Sequence, residues 1–240
     1  GVWAGFLSHN VMAKKSSILE IRQGIDRIES TLDSGCYRVG DWQKCLVSLK
    51  GLGRDVTLTL SEDLTRISNK LHRRNRFPEA PFWAGLFFES FLLTMSLWAM
   101  TAESILLRVA SIVLLALCLQ PLTKISTGML LGVRYSYVYL WYFEPRFKMR
   151  FGTYQQLARW QKLVLQFSGS VGTPIALLMG WWVLGDEPLL SKLCLAGALG
   201  VTLMQVGAFT AVCLGFRRLG PFLLTNLTTP ALLAKEWKER

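Results

Sequence analysis

Charge is scarce in this sequence, and so are most residues that carry catalysis. Only 18% of the 240 residues are charged, against about 25% in a soluble domain. There are 2 histidines and 5 cysteines. Cys118, Cys194 and Cys213 fall in long apolar runs, while Cys36 and Cys45 stand apart from any histidine. That spacing offers neither a disulfide framework nor the four close ligands of a zinc site. No G-x-x-x-x-G-K-[ST] cradles a phosphate, no G-x-S-x-G presents a serine and no H-E-x-x-H binds zinc. The expectation is a chain without a cofactor or metal.

Apolar residues fill the place of the missing charge. They make up 51% of the chain, and about 59% with its 20 glycines, against about 45–50% on that wider count for soluble domains. Mean hydropathy is +0.32. Disorder and collagen-like structure are excluded, and a polytopic membrane protein with a polar appendage is expected. The 27 Lys and Arg against 16 Asp and Glu read as a positive-inside bias with anionic-lipid contact. No nucleic-acid partner is expected.

The runs themselves place the spans. Leu163 to Gly185 is 23 residues without a charge and Leu193 to Phe216 is 24, where about 20 suffice to cross a bilayer. Gly185-Asp186-Glu187-Pro188 turns between them. Pro81 to Met100 carries only Glu89, and Ser104 to Leu119 only Arg108. Pro121 is expected to end or kink that second span, and Pro174 to kink the third. The fold class is therefore all-α, with four transmembrane helices as two hairpins, at about 81–100, 103–120, 163–185 and 193–216. Basic residues lie at 73–76, 146–162 and 217–240, so four spans put both termini on the cytoplasmic side, or the matrix or stromal side of an organelle.

Residues 1–76 are expected as an amphipathic helical module. Ser17 with Glu20 matches a capping box, and Ile18, Ile21, Ile25, Ile28 and Leu32 form a 3,4 seam that Gly35 stops. Trp42, Cys45, Leu46 and Leu49 mark a second helix from Asp41 to the Gly51 and Gly53 pair. Leu60, Leu64, Ile67 and Leu71 mark a third. Residues 1–13 lack a secretory pattern. Within 77–240, the aromatic stretch 122–160 is expected to lie along the interface, as is a tail at 220–240 whose helix starts at Thr229-Pro230.

Three groups of candidate functional residues follow. Glu89 and Arg108 are costly inside hydrocarbon. At ~1.5 Å per residue in a ~30 Å core they are expected roughly 8 Å apart in depth, close enough for an intramembrane ion pair. Arg134, Tyr135, Arg146, Lys148 and Arg150 are expected to contact lipid headgroups, because guanidinium forks match phosphate oxygens. Gly172, Ala176 and Gly180 repeat at four-residue spacing, as do Gly207, Ala211 and Gly215, two small-residue faces for close helix packing. The reading favoured by these patterns is a non-catalytic membrane subunit or scaffold with lipid and partner-subunit contacts. The alternative is a lipid-handling enzyme or transporter using Glu89, Arg108 and the Arg134–Arg150 segment. A four-span channel ranks third, since the spans lack a polar stripe.

Overall fold

The computed structural model describes residues 2–50, 54–141, 144–216 and 225–238. Features expected at Gly51, Gly53, Tyr142, Arg217, Arg218 and Arg240 lie outside them. The described chain is mostly helical and falls into two compact units, residues 1–78 with 149–156, and residues 79–148 with 157–240.

The first unit holds α1 (Val2–Asp33), α2 (Asp41–Lys50), α3 (Arg54–Thr59), α4 (Ser61–Arg73) and the short α7 (Phe151–Gln155). The seam read from the sequence is its core: Ile21, Ile25, Ile28, Leu49, Val56, Leu60, Leu64 and Ile67 are buried together. Each such side chain stabilises by about 1.5–3 kcal/mol when fully buried. Gly35 ends α1 at φ +76°, a left-handed value that glycine adopts without strain. The helix does not begin at Ser17. It runs unbroken from Val2, because no proline interrupts 2–16. The 149–156 stretch joins this unit through a close approach of Gly152 to the Ser61 backbone, where any side chain would overlap Ser61. The Gly152 amide donates to Thr65 Oγ1 at 2.9 Å, and Phe151 meets Trp42 ring to ring at 5.7 Å.

The second unit contains α5 (Phe82–Ala99), α6 (Ile105–Leu130), α8 (Arg159–Val183), α9 (Pro188–Cys213) and α10 (Thr225–Lys238). The first four are long and apolar enough to cross a membrane. α6 packs against α5 and α8, and α8 against α9, with α10 beside both α8 and α9. Their shared apolar core includes Ile112, Leu115, Cys118, Leu122 and Ala176. Pro121 and Pro174 lie inside continuous helices. Each removes one ladder hydrogen bond, which the long helices on either side tolerate without ending there. α10 likewise starts at Thr225, four residues before the expected Thr229 cap, with Pro230 inside it.

The 122–160 stretch is the main departure from an all-helical reading. α6 continues to Leu130, Gly132 turns the chain at φ +85°, and β2 (Tyr135–Trp141) and β3 (Glu144–Met149) follow. With β1 (Glu79–Pro81) they form a three-stranded sheet in the order β1-β2-β3, β1 running antiparallel to β2 with Glu79 opposite Tyr139. The physical reason is visible in Tyr135-Ser136-Tyr137-Val138-Tyr139-Leu140-Trp141. Aromatic and β-branched residues favour a pleated surface. The aromatic crowding expected of an interfacial segment is also a strand pattern.

Candidate functional site

The sheet is held against α5 and α6 by close backbone approach. Gly85 leaves room for Val138 and Phe147, whose side chains a Cβ there would crowd. Phe82 stacks on Tyr135 at 5.4 Å and meets Phe147 edge-on at 6.0 Å. Gly128 plays the same part on α6, since a side chain there would overlap the Tyr135 hydroxyl. That hydroxyl donates to the Lys124 carbonyl oxygen at 3.3 Å.

Cations gather where these elements meet. Lys124 Nζ donates to Gln166 Oε1 at 3.0 Å, an amide oxygen rather than a carboxylate. Its stem lies over Gly169, where a Cβ would stand 3.0 Å from Lys124 Cδ. Arg146 is near enough to Lys124 for the two charges to repel. The Arg146 guanidinium lies 5.2 Å from the centre of the Trp141 ring, pairs with Glu144 at 3.0 Å and hydrogen-bonds Tyr139. Lys148, two residues on in β3, has its ammonium pushed below the usual lysine range by burial. Burial pushes the Tyr135 and Tyr139 hydroxyls upward, and for Tyr139 that effect outweighs the opposing Arg146 charge. Both phenols therefore stay protonated near neutral pH. Lys124 has no carboxylate partner among the described residues. Among the described residues the cluster is rich in N–H and O–H donors, with Glu144 paired to Arg146 and Glu79 opposite Tyr139 across the β1–β2 pair. Such a set binds anionic oxygen.

The expected residues divide. Tyr135 and Arg146 come together with Lys124, Tyr139 and Gln166, and Lys148 stands two residues from Arg146 on the same strand, β3. Arg134 is exposed in the second unit, and Arg150 is exposed in the first, where it precedes α7. Glu89 and Arg108 do not pair. Arg108 Nη1 donates to the Asp186 carboxylate at 2.9 Å and to the Val183 carbonyl at 3.3 Å. Glu89 is buried, 1% exposed, and its Oε2 has no hydrogen-bond partner among the described residues. Register is the reason. The Ser96 hydroxyl donates to the Ser111 carbonyl, which sets Glu89 opposite Cys118, ten residues or about 15 Å along α6 from Arg108.

The small-residue faces also separate. Gly172 brings the α8 backbone against Gln120 of α6, Gly180 meets Ile112 and Cys194, and Ala176 is fully buried. On α9, by contrast, a Cβ at Gly200 or Gly207 would meet nothing within 4 Å. Ala211 is half-buried, and Gly215 sits beyond the end of α9 at φ +103°, where it serves the turn. The residues that sequence reasoning passed over are Lys124, Tyr139 and Gln166. The signal available was spacing: Gln120 and Lys124 on α6, and Gln166, Ser170 and Thr173 on α8, each line one helix face.

The fold and site define a helical protein with four potential membrane spans and a cationic, aromatic cluster beside a small sheet. No family model, curated protein or solved structure matches the chain.

Proposed function

We propose that the chain is a multi-pass membrane protein that binds the phosphate of an anionic lipid or lipid-linked substrate at Lys124, Arg146, Lys148 and Tyr139. In this reading α5–α6 and α8–α9 are two transmembrane hairpins. Both termini and the 146–162 loop share the cytoplasmic side, which puts the sheet at headgroup depth. The observation that carries the reading is Lys124, an ammonium beside Arg146 that donates to the neutral amide oxygen of Gln166. Like charges brought together in a low-dielectric place are costly unless an anion completes them. The aromatic residues Tyr135, Tyr137 and Trp141 suit the same depth, being apolar with a polar edge. The donors of the site match phosphate oxygens, so binding or carriage of the lipid is the activity they support.

The test is thermal. Detergent-solubilised protein should melt several degrees higher with phosphatidic acid than with phosphatidylcholine, and Arg146→Ala should abolish that difference. Equal melting in both lipids removes the reading. The sidedness is checked by labelling Thr153→Cys and Asp186→Cys, which should react from opposite faces of the membrane.

A second reading is favoured by one observation, the open face of α9. Ala196, Gly200 and Gly207 are exposed beside Leu199 and Leu203, and small residues let another helix approach closely. On that reading the chain is also a subunit of a larger membrane assembly. Gly207→Leu should then strip partners during gentle purification, whereas a chain that purifies alone from native membranes excludes it.

A further inference from the structure

Lys124 is one end of a longer polar seam. On α6, Gln120, Thr123 and Lys124 face α8, and on α8, Gln166, Ser170 and Thr173 answer them. Thr123 Oγ1 donates to the Ser168 carbonyl at 3.0 Å. Thr173 Oγ1 lies 3.3 Å from Gln120 Oε1 and 3.4 Å from the Ala116 carbonyl. Ser170 sits on the same α8 face, four residues from Gln166 and three from Thr173. Its position between two residues that both bond α6 therefore directs it into the seam.

Two groups there are unspent. The Gln120 Nε2 amide and the Ser170 hydroxyl are buried and have no hydrogen-bond partner among the described residues. Gln120 and Ser170 are each 6% exposed. An amide NH2 can only donate, and a hydroxyl donates one proton. Buried donors without acceptors are rare in folded proteins and signal a missing acceptor, either water or a ligand. Polar side chains inside a membrane bundle commonly mark the route of a polar substrate. Beyond Thr173 the seam becomes apolar, with Leu115, Ala176 and Ile112 filling it.

We propose that the α6–α8 seam is a hydrated subsite continuing from Lys124 to a blind end at Gln120 and Ser170, and that phosphate oxygens enter it. The inference rests on the reading of Lys124 and Arg146 as a lipid-phosphate site and extends it inward by about one helical turn. The Lys124 ammonium admits the anion, and the amide of Gln120 and the hydroxyl of Ser170 supply the donors it meets next. Gly169 keeps the entrance open for the Lys124 stem. Lipid headgroups and free phosphate share this chemistry.

Substituted-cysteine accessibility tests the subsite. The full chain carrying Ser170→Cys, Gln120→Cys or Ala176→Cys is placed in phosphatidylcholine nanodiscs and treated with an anionic thiosulfonate. Modification at that residue is then read by mass spectrometry. Ser170→Cys should react at least tenfold faster than Ala176→Cys, the apolar position beyond the blind end. Gln120→Cys provides the same comparison should Ser170→Cys not fold. Nanodiscs containing phosphatidic acid should slow the reaction several-fold. If inorganic phosphate slows it equally, the occupant is the free anion. Protection by lipid alone assigns the headgroup. A reaction at Ser170→Cys and Gln120→Cys no faster than at Ala176→Cys overturns the subsite, as does the absence of protection by either phosphate source. Failure of the subsite with lipid stabilisation intact leaves the Arg146 reading standing, so the two claims fall separately.

Discussion

The two units of this chain are solved for opposite solvents. In the first, Ile25, Leu60, Leu64 and Ile67 are sealed inside, and the charges stand outside as a network. Arg66 bridges Glu29 at 3.0 Å and Asp63 at 2.8 Å, and Lys70 reaches Glu29 at 2.7 Å and Asp33 at 2.9 Å. In the second, Trp83, Phe87, Leu106, Leu130 and Trp182 are exposed, while Glu89, Gln120, Gln166 and Ser170 are inside. Water rewards the first arrangement through the hydrophobic effect. Hydrocarbon supplies no such drive between helices, so close packing and interhelical hydrogen bonds must hold the second together. The same residue type therefore carries different weight in the two places.

The comparison can be broken most severely at a buried leucine. Leu64→Ala should cost about 2–5 kcal/mol, the range for emptying a sealed apolar site, and the first unit should become protease-sensitive. Leu203→Ala, on the exposed face of α9, should leave both proteolysis and melting unchanged. Equal effects would mean that the two units do not differ in what stabilises them. Gly172→Leu comes next. Its side chain would overlap the Gln120 backbone, and overpacking of this kind costs about 1–3 kcal/mol. Gly207→Leu meets open space, so melting in detergent should separate the two variants.

The smallest effect expected is at the charged surface of the first unit. Hydrogen bonds from Arg66 and then Lys70 hold the Glu29 carboxyl below its ordinary value. A depressed carboxylate stabilises the fold above its unfolded value, about 4.3, and loses that contribution as pH falls through the lowered one. Lys70 is raised, mainly by its hydrogen bond to Glu29, so its share persists at neutral pH and goes only in strong alkali. Glu29→Gln should lower the neutral plateau of the unfolding curve slightly and flatten its acid limb, because the contribution that falling pH removes is already absent. An unchanged acid limb would show that the network is too solvated to matter.

What the sequence revealed follows the same division. The seam from Ile18 to Leu32 and the Leu60, Leu64, Ile67 face were legible because a water-facing helix writes its burial as periodicity. The four long apolar helices were legible by length alone. The sheet was not, because alternating aromatics serve a strand and a membrane interface equally well. Nor was the partner of Arg108. Glu89 and Asp186 were both available acids, and the choice is made by helix register, which the Ser96–Ser111 contact sets. Lys124 was hidden for another reason. It resembles an interruption of an apolar run until α8 is laid beside it and Gln166 meets it.

The central claim is that the second unit keeps its cations inside to hold a lipid phosphate. Phosphorus analysis of the purified protein, after gentle detergent extraction and exhaustive washing, addresses it directly. The wild-type chain should retain tightly bound phospholipid phosphorus, and Lys124→Gln should lose most of it while eluting and melting as a folded protein. Equal phosphorus in the two proteins, or none in either, would contradict the account.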